Sequence, residues 1–175
     1  MTPVAIHETQ LAQIFGAVTV AFLAGFWLLP GGVLTLRRRA GGEPQVDVRP
    51  GYSPATLYRL LQLYGAEGIR MFRRLLLADM VFPAVYATFL YLLGDLAAAA
   101  HPGAARAARV VCVMAIAAAG FDYLENLSLL YVLHRLPGRR NLAARVAGLC
   151  TSLKMLSFLA ALAALVTALV SPGVT

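Results

Sequence analysis

The sequence predicts an all-α integral membrane protein, a four-helix bundle with both termini on the non-cytoplasmic side, and three observations carry that expectation. Of 175 residues, 60% are hydrophobic and 13% charged, with a mean hydropathy of +0.74. A soluble domain carries about 25% charged residues. Four apolar runs each approach the ~20 residues that a helix needs to cross the hydrocarbon core. The arginines gather at the ends of those runs, as membrane orientation requires. The length suits one transmembrane domain over residues 1–175.

The first span covers about 11–30, LAQIFGAVTVAFLAGFWLLP, and closes at Pro30-Gly31-Gly32. It lacks the basic leader of a signal peptide, so it is expected to remain as a span. Residues 37–70 form a cytoplasmic loop followed by an amphipathic helix. The loop, RAGGEPQVDVRPGY, is polar and rich in Gly and Pro, and Ser53 then reads as an N-cap with Pro54 at the first helical position. Leu57, Leu60, Leu61 and Tyr64 share one helical face. Two placements stay open for that face. It lies in the membrane interface with Arg59 toward the headgroups, or it packs on protein as an extension of the second span.

The remaining spans are about 71–94, 107–134 and 146–170, and their short connections favour antiparallel neighbours. Arg37, Arg38, Arg39, Arg49, Arg59, Arg70, Arg73 and Arg74 load the first connection, and Arg135, Arg139, Arg140 and Arg145 load the third. The second has Arg106 and Arg109 with Asp95, and the terminal segments have no Lys or Arg. This bias places the first and third connections in the cytoplasm. Cys112 and Cys150 fall near opposite ends of their helices, too far apart to bridge, and read as small apolar fillers.

The candidate site is the set of polar residues inside the apolar runs: Asp79, Pro83, Tyr86, Asp122, Glu125, Asn126 and Lys154. An ionisable residue in the bilayer core costs about 2.5–3.5 kcal/mol on insertion scales, so such residues are rarely accidental. Measured from the flanking arginines, Asp79 lies about 8 Å, Lys154 about 13 Å and Glu125 about 15 Å into the span, all in the cytoplasmic half. Asp122, Glu125 and Asn126 recur at i, i+3 and i+4 and share one stripe. Thr151, Lys154 and Ser157 make another polar stripe on the fourth span. Pro83 removes the hydrogen bond to the carbonyl of Asp79 and is expected to kink the helix. Three carboxyls against one lysine leave negative charge in excess, so at least one carboxyl is expected to hold a proton. The expected central ion pair is Glu125 with Lys154. The competing reading makes the whole network a structural tie between helices.

Small-residue rows at Ala17, Ala21 and Gly25, and at Ala160, Ala164 and Ala168, allow close packing within the monomer or between copies. His7, His101 and His134 sit at span ends or in connections, so no haem or metal site is expected. There is no phosphate-binding glycine loop, and no aromatic-basic motif to bind nucleic acid.

The run LYGAEGIRMFRRLLLADMVFPAVYATFLYLL, then FDYLENL and a span bearing TSLKML, resembles small bacterial four-span inner-membrane proteins of unknown function. Their pattern is a YGxxGR-like turn, then D-x-x-F-P-x-x-Y, then D-x-x-E-N on the next span. The matching residues are Tyr64, Gly65, Gly68, Asp79, Phe82, Pro83, Tyr86, Asp122, Glu125 and Asn126, with the arginine one place later at Arg70. The match covers roughly residues 60–160. It implies a multi-pass protein of the bacterial inner membrane and brings no activity with it. The expected function is therefore a polar intramembrane site for a proton, a cation or a small polar or lipid ligand, with no cofactor. The alternative is a non-catalytic accessory subunit of a larger membrane complex. A lipid enzyme using Asp122 and Glu125 as acid and base is a third class. The expected partners are the lipid bilayer and either a homodimer or a larger membrane complex, with no nucleic acid.

Overall fold

The structure, a computed structural model, describes residues 3–29 and 31–170. These residues form helices and connections with no strand among them. The helices are α1 (Pro3–Leu28), α2 (Val33–Arg39), α3 (Pro54–Asp79), α4 (Phe82–Ala100), α5 (Ala105–His134) and α6 (Asn141–Val170). Among the described residues, four stretches are long and apolar enough to cross a membrane: Ile6–Arg39, Pro54–Ala100, Ala105–His134 and Asn141–Val170. Pro30, expected to close the first span, lies outside the described residues.

Local chemistry explains the boundaries. The short helix α2 ends in a Schellman motif, in which the Gly41 N–H donates to Arg38 O and the Gly42 N–H to Arg37 O. Gly41 takes the left-handed conformation this ending needs, at φ 67°. Three arginines in the last turn of α2 suit the negative end of its dipole. At the start of α3, Ser53 Oγ accepts the Thr56 N–H at 3.2 Å and Pro54 opens the helix, as the sequence predicts. Gly65 breaks α3 internally, with φ 63° and ψ −178°. The expected kink before Pro83 is a full interruption. The helix stops at Asp79, Met80 and Val81 make a turn, and α4 begins at Phe82.

The chain divides into two compact units. One comprises Ala21–Phe82 and Phe121–Leu153, and is called the loop-bearing unit. Its core is Leu36, Val46, Leu57, Leu60, Leu61, Tyr64, Phe72, Leu76, Leu129, Val132, Leu133, Ala144 and Ala147. The face of α3 bearing Leu57, Leu60, Leu61 and Tyr64 therefore packs on protein, the second of the two placements left open by the sequence. Arg73 donates to the Leu133 carbonyl at 3.2 Å and satisfies one terminal acceptor of α5.

The other unit comprises Met1–Val20, Pro83–Gly120 and Lys154–Thr175, and is packed by small residues. Ala97, Ala104 and Ala168 form a buried cluster with Leu165 and Ala107 against it. Gly94 lets α4 approach α5 closely, since a Cβ there would lie 3.2 Å from the Ala108 carbonyl oxygen. The row on the first helix is not an intramolecular seam: Ala17 and Ala21 are exposed. On α6, Ala168 is buried while Ala160 and Ala164 are half-buried.

Candidate functional site

The third apolar run presents its polar stripe to the interior of the loop-bearing unit. Asp122 is 4%, Glu125 0% and Asn126 1% exposed. Their spacing over one helical turn puts all three on the same face of α5, as the sequence predicts. Two neighbouring elements supply polar contacts. From the end of α3, Asp79 Oδ2 accepts a hydrogen bond from Asn126 Nδ2 at 2.8 Å. From α6, Thr151 Oγ1 lies 2.5 Å from Glu125 Oε1 and 3.0 Å from the Ala147 carbonyl oxygen.

The position of Asp79 follows from the helix interruption. It is the last residue of α3, so its carboxyl is set at a helix end rather than in a continuous wall. The interruption also leaves the Asp79 carbonyl without the partner that Pro83, lacking an N–H, would have supplied. Asp79 is half-buried, in contrast to the fully enclosed Glu125.

A second contribution comes from the loop before α3. Ser152 Oγ on α6 donates to the Pro50 carbonyl at 2.9 Å. At Gly148 there is room for the Tyr52 backbone only because no Cβ is present, and the Tyr52 ring edge lies 3.5 Å from where that Cβ would be. These contacts hold Tyr52 along α6 with its buried hydroxyl facing Thr151 and the Glu125 carboxyl. Burial first, and the neighbouring carboxyl second, hold this phenol well above its ordinary range, so it stays protonated. Gln45 is 2% exposed in the same loop and donates through Nε2 to Asp47 Oδ2 at 2.9 Å. The loop thus has a buried polar side of its own.

Of the seven residues predicted from sequence, Asp79, Asp122, Glu125 and Asn126 belong to this one unit. Pro83, Tyr86 and Lys154 belong to the small-residue unit. There Tyr86 is buried and packs edge-on against Phe158, with ring centroids 5.7 Å apart at 80°. Pro83 is buried and Lys154 half-buried. Thr151, noted in sequence only as part of a stripe, becomes a direct partner of Glu125. Tyr52 was missed. The available signal was its place just before the N-cap of α3, where an apolar side chain commonly packs back on the fold.

The donor set is two aspartates, a glutamate, an amide and two hydroxyls. Among the described residues no group of three or more His, Cys, Asp or Glu is arranged to hold a metal ion. The arrangement suits holding or passing a proton, because carboxyl and hydroxyl groups both donate and accept. No family model, curated protein or solved structure matches this chain.

Proposed function

We propose that this is a multi-pass membrane protein whose buried carboxyl cluster, centred on Glu125, is an intramembrane proton-binding site. One observation carries the reading. Thr151 has a single hydroxyl proton but stands within hydrogen-bond distance of two oxygens, Glu125 Oε1 and the Ala147 carbonyl. A protonated Glu125 donating to Thr151, with Thr151 donating to Ala147, gives each of these two contacts its own proton. An ionised Glu125 at 0% exposure leaves Thr151 divided between two acceptors and carries the desolvation cost of a buried charge. The protein sits in the bacterial inner membrane with both termini on the non-cytoplasmic side. The arginines of α2 and α3 and those of the third connection then face the cytoplasm.

Infrared spectroscopy of the reconstituted protein at neutral pH tests this. Wild type is expected to show a protonated-carboxyl band that shifts in deuterated water. In Glu125→Gln that band disappears while the helical circular dichroism is kept. A wild-type spectrum without such a band rules the proton-binding reading out.

A second reading is favoured by the 2.8 Å bond between Asn126 and Asp79, which ties α5 to the end of α3. Here the cluster fixes helix register and carries nothing. It requires that Asp79→Asn and Glu125→Gln both lower the melting temperature by comparable amounts and that neither alters a proton-dependent signal.

A further inference from the structure

A groove of about 600 Å³ opens on the loop-bearing unit where α3 breaks at Gly65. Its volume lies in the ~300–1,000 Å³ range of small-ligand sites. Leu61, Ile69 and Leu136 give it an apolar wall, Tyr58 and Gln62 a polar edge, and Arg139 a cationic rim. Gly65 carries no side chain, and a Cβ there would meet nothing within 4 Å, so the mouth is open at the break.

The charged side chain that lines this groove is a cation, Arg139. The surface carboxylates of the unit are engaged elsewhere, Glu43 by Arg49 and Arg59 and Glu67 by Arg39. Among the described residues Arg139 makes no ion pair. Its guanidinium stacks over the Tyr58 ring at 5.2 Å, and the Tyr58 hydroxyl in turn accepts the Arg140 backbone N–H at 2.5 Å. Arg135 is likewise held over an aromatic face, that of Tyr131, at 5.4 Å. Stacking fixes a guanidinium in place and leaves its edge N–H groups directed outward, the geometry that receives a phosphate. Along the chain, the groove residues lie just beyond the apolar run of α5 and just before the second apolar run, at headgroup level in the orientation proposed above.

We infer that this groove, walled by Leu61, Ile69 and Leu136 and rimmed by Arg139, binds one anionic phospholipid, with its phosphate on Arg139 and its glycerol and upper acyl carbons on the apolar wall. The inference rests on the membrane placement and is independent of the proton site. Charge complementarity selects an anionic over a zwitterionic lipid, because a choline headgroup brings its own cation to a rim that is already cationic. The apolar wall selects a lipid over free phosphate.

Native mass spectrometry of the full chain in detergent, titrated with phosphatidylglycerol or phosphatidylcholine, tests it. Wild type is expected to retain one phosphatidylglycerol in preference to phosphatidylcholine. Arg139→Gln is expected to weaken that retention about tenfold or more, the loss expected for one charge-assisted contact. Ala66→Trp, an exposed lining position, is expected to block it by filling the groove. Arg109→Gln, in the other unit, is expected to change nothing. Equal retention of both lipids, retention undiminished in Ala66→Trp, or displacement by inorganic phosphate would each overturn the assignment. Membrane fractionation of the same cells separates the two failures. A chain absent from the membrane defeats the placement itself, whereas a membrane-bound chain without lipid preference defeats only the groove.

Discussion

In the loop-bearing unit the interior is filled by large side chains: Leu36, Leu57, Leu60, Phe72 and Leu76 are all 1% exposed or less. In the small-residue unit the buried positions include Ala104, Ala108, Ala115, Ala118, Ala161 and Ala168, with Val85, Leu90 and Val111 the larger side chains among them, while Val113, Ile116, Leu159, Leu162 and Val166 point outward. Water rewards turning a leucine inward, at roughly 25 cal/mol per Å² of apolar surface removed. Lipid does not, because its tails are as apolar as leucine. Alanine and glycine then bring helices close, and the larger side chains meet the acyl chains. The alanine-rich interior of the small-residue unit supports the bilayer reading, as do the outward-facing Leu124, Leu127 and Leu149 of the loop-bearing unit. The contrast also locates the region that behaves most like a water-soluble core, around α2, the loop and the first half of α3.

The largest expected effect follows directly. Phe72 is fully buried and packs on Tyr64 with ring centroids 5.8 Å apart. Phe72→Ala is expected to destabilise by about 3–5 kcal/mol. Leu159→Ala, an outward-facing change in the other unit, is expected to leave stability within about 0.5 kcal/mol. Thermal unfolding in detergent measures both, and comparable losses would end the distinction between the two interiors.

Two glycines sharpen the contrast. Gly65 is required by its backbone: at φ 63° and ψ −178° only glycine is comfortable, although a Cβ would touch nothing. Gly65→Ala is expected to cost about 1–3 kcal/mol. Gly94 is required by its space, with the Ala108 carbonyl and Cys112 Sγ each 3.2 Å from a built Cβ. Gly94→Val is expected to cost a similar 1–3 kcal/mol through overpacking. The causes are separable in the melting temperatures. Cys112→Ala removes the sulfur in the way and recovers part of the Gly94→Val loss. Trimming a neighbour recovers nothing at Gly65.

Within the polar cluster the expected coupling is smaller. A double-mutant cycle of Asp79→Ala and Asn126→Ala is expected to return about 0.6 kcal/mol, the average for interhelical polar contacts in membranes. A value near zero would remove the structural reading of that bond.

The four apolar runs, the Ser53 cap and a disturbance of the helix before Pro83, expected as a kink, were legible because each depends on residues a few positions apart. Length, one hydroxyl and one missing N–H suffice. The stripe of Asp122, Glu125 and Asn126 was legible for the same reason, since its three members lie within a single turn. Tyr52 and the buried side of its loop were not. Nothing in RAGGEPQVDVRPGY has a period, and its burial is created by Gly148 and Ser152, about a hundred residues away. The placement of α3's apolar face needed the partners Val46 and Leu133 to decide between protein and lipid, and neither is local to it. Lys154 shows the same boundary. Its stripe on α6 is plain from spacing, but the unit to which it belongs depends on the packing of the whole helix.

The smallest effect tests the loop at the surface. Glu43 receives Arg59 through both guanidinium nitrogens, one of them at 2.7 Å, and Arg49 at 3.0 Å. Arg59 first, and Arg49 after the opposing effect of desolvation, hold the Glu43 carboxyl below its ordinary 4.5. A depressed carboxylate contributes its stability above the unfolded pKa and loses it as pH falls through the folded one. The loop is therefore expected to loosen only in acid, below about 4.5. Limited proteolysis between Arg37 and Ser53 measures this, with cleavage rising as pH drops through that window. In Glu43→Gln cleavage is expected to be already elevated at neutral pH and to vary little with acid. Equal protection of the two proteins at neutral pH would show that the loop is held by Val46, Pro50 and Tyr52 alone. The surface carboxylate would then be incidental to the buried side that reaches Glu125.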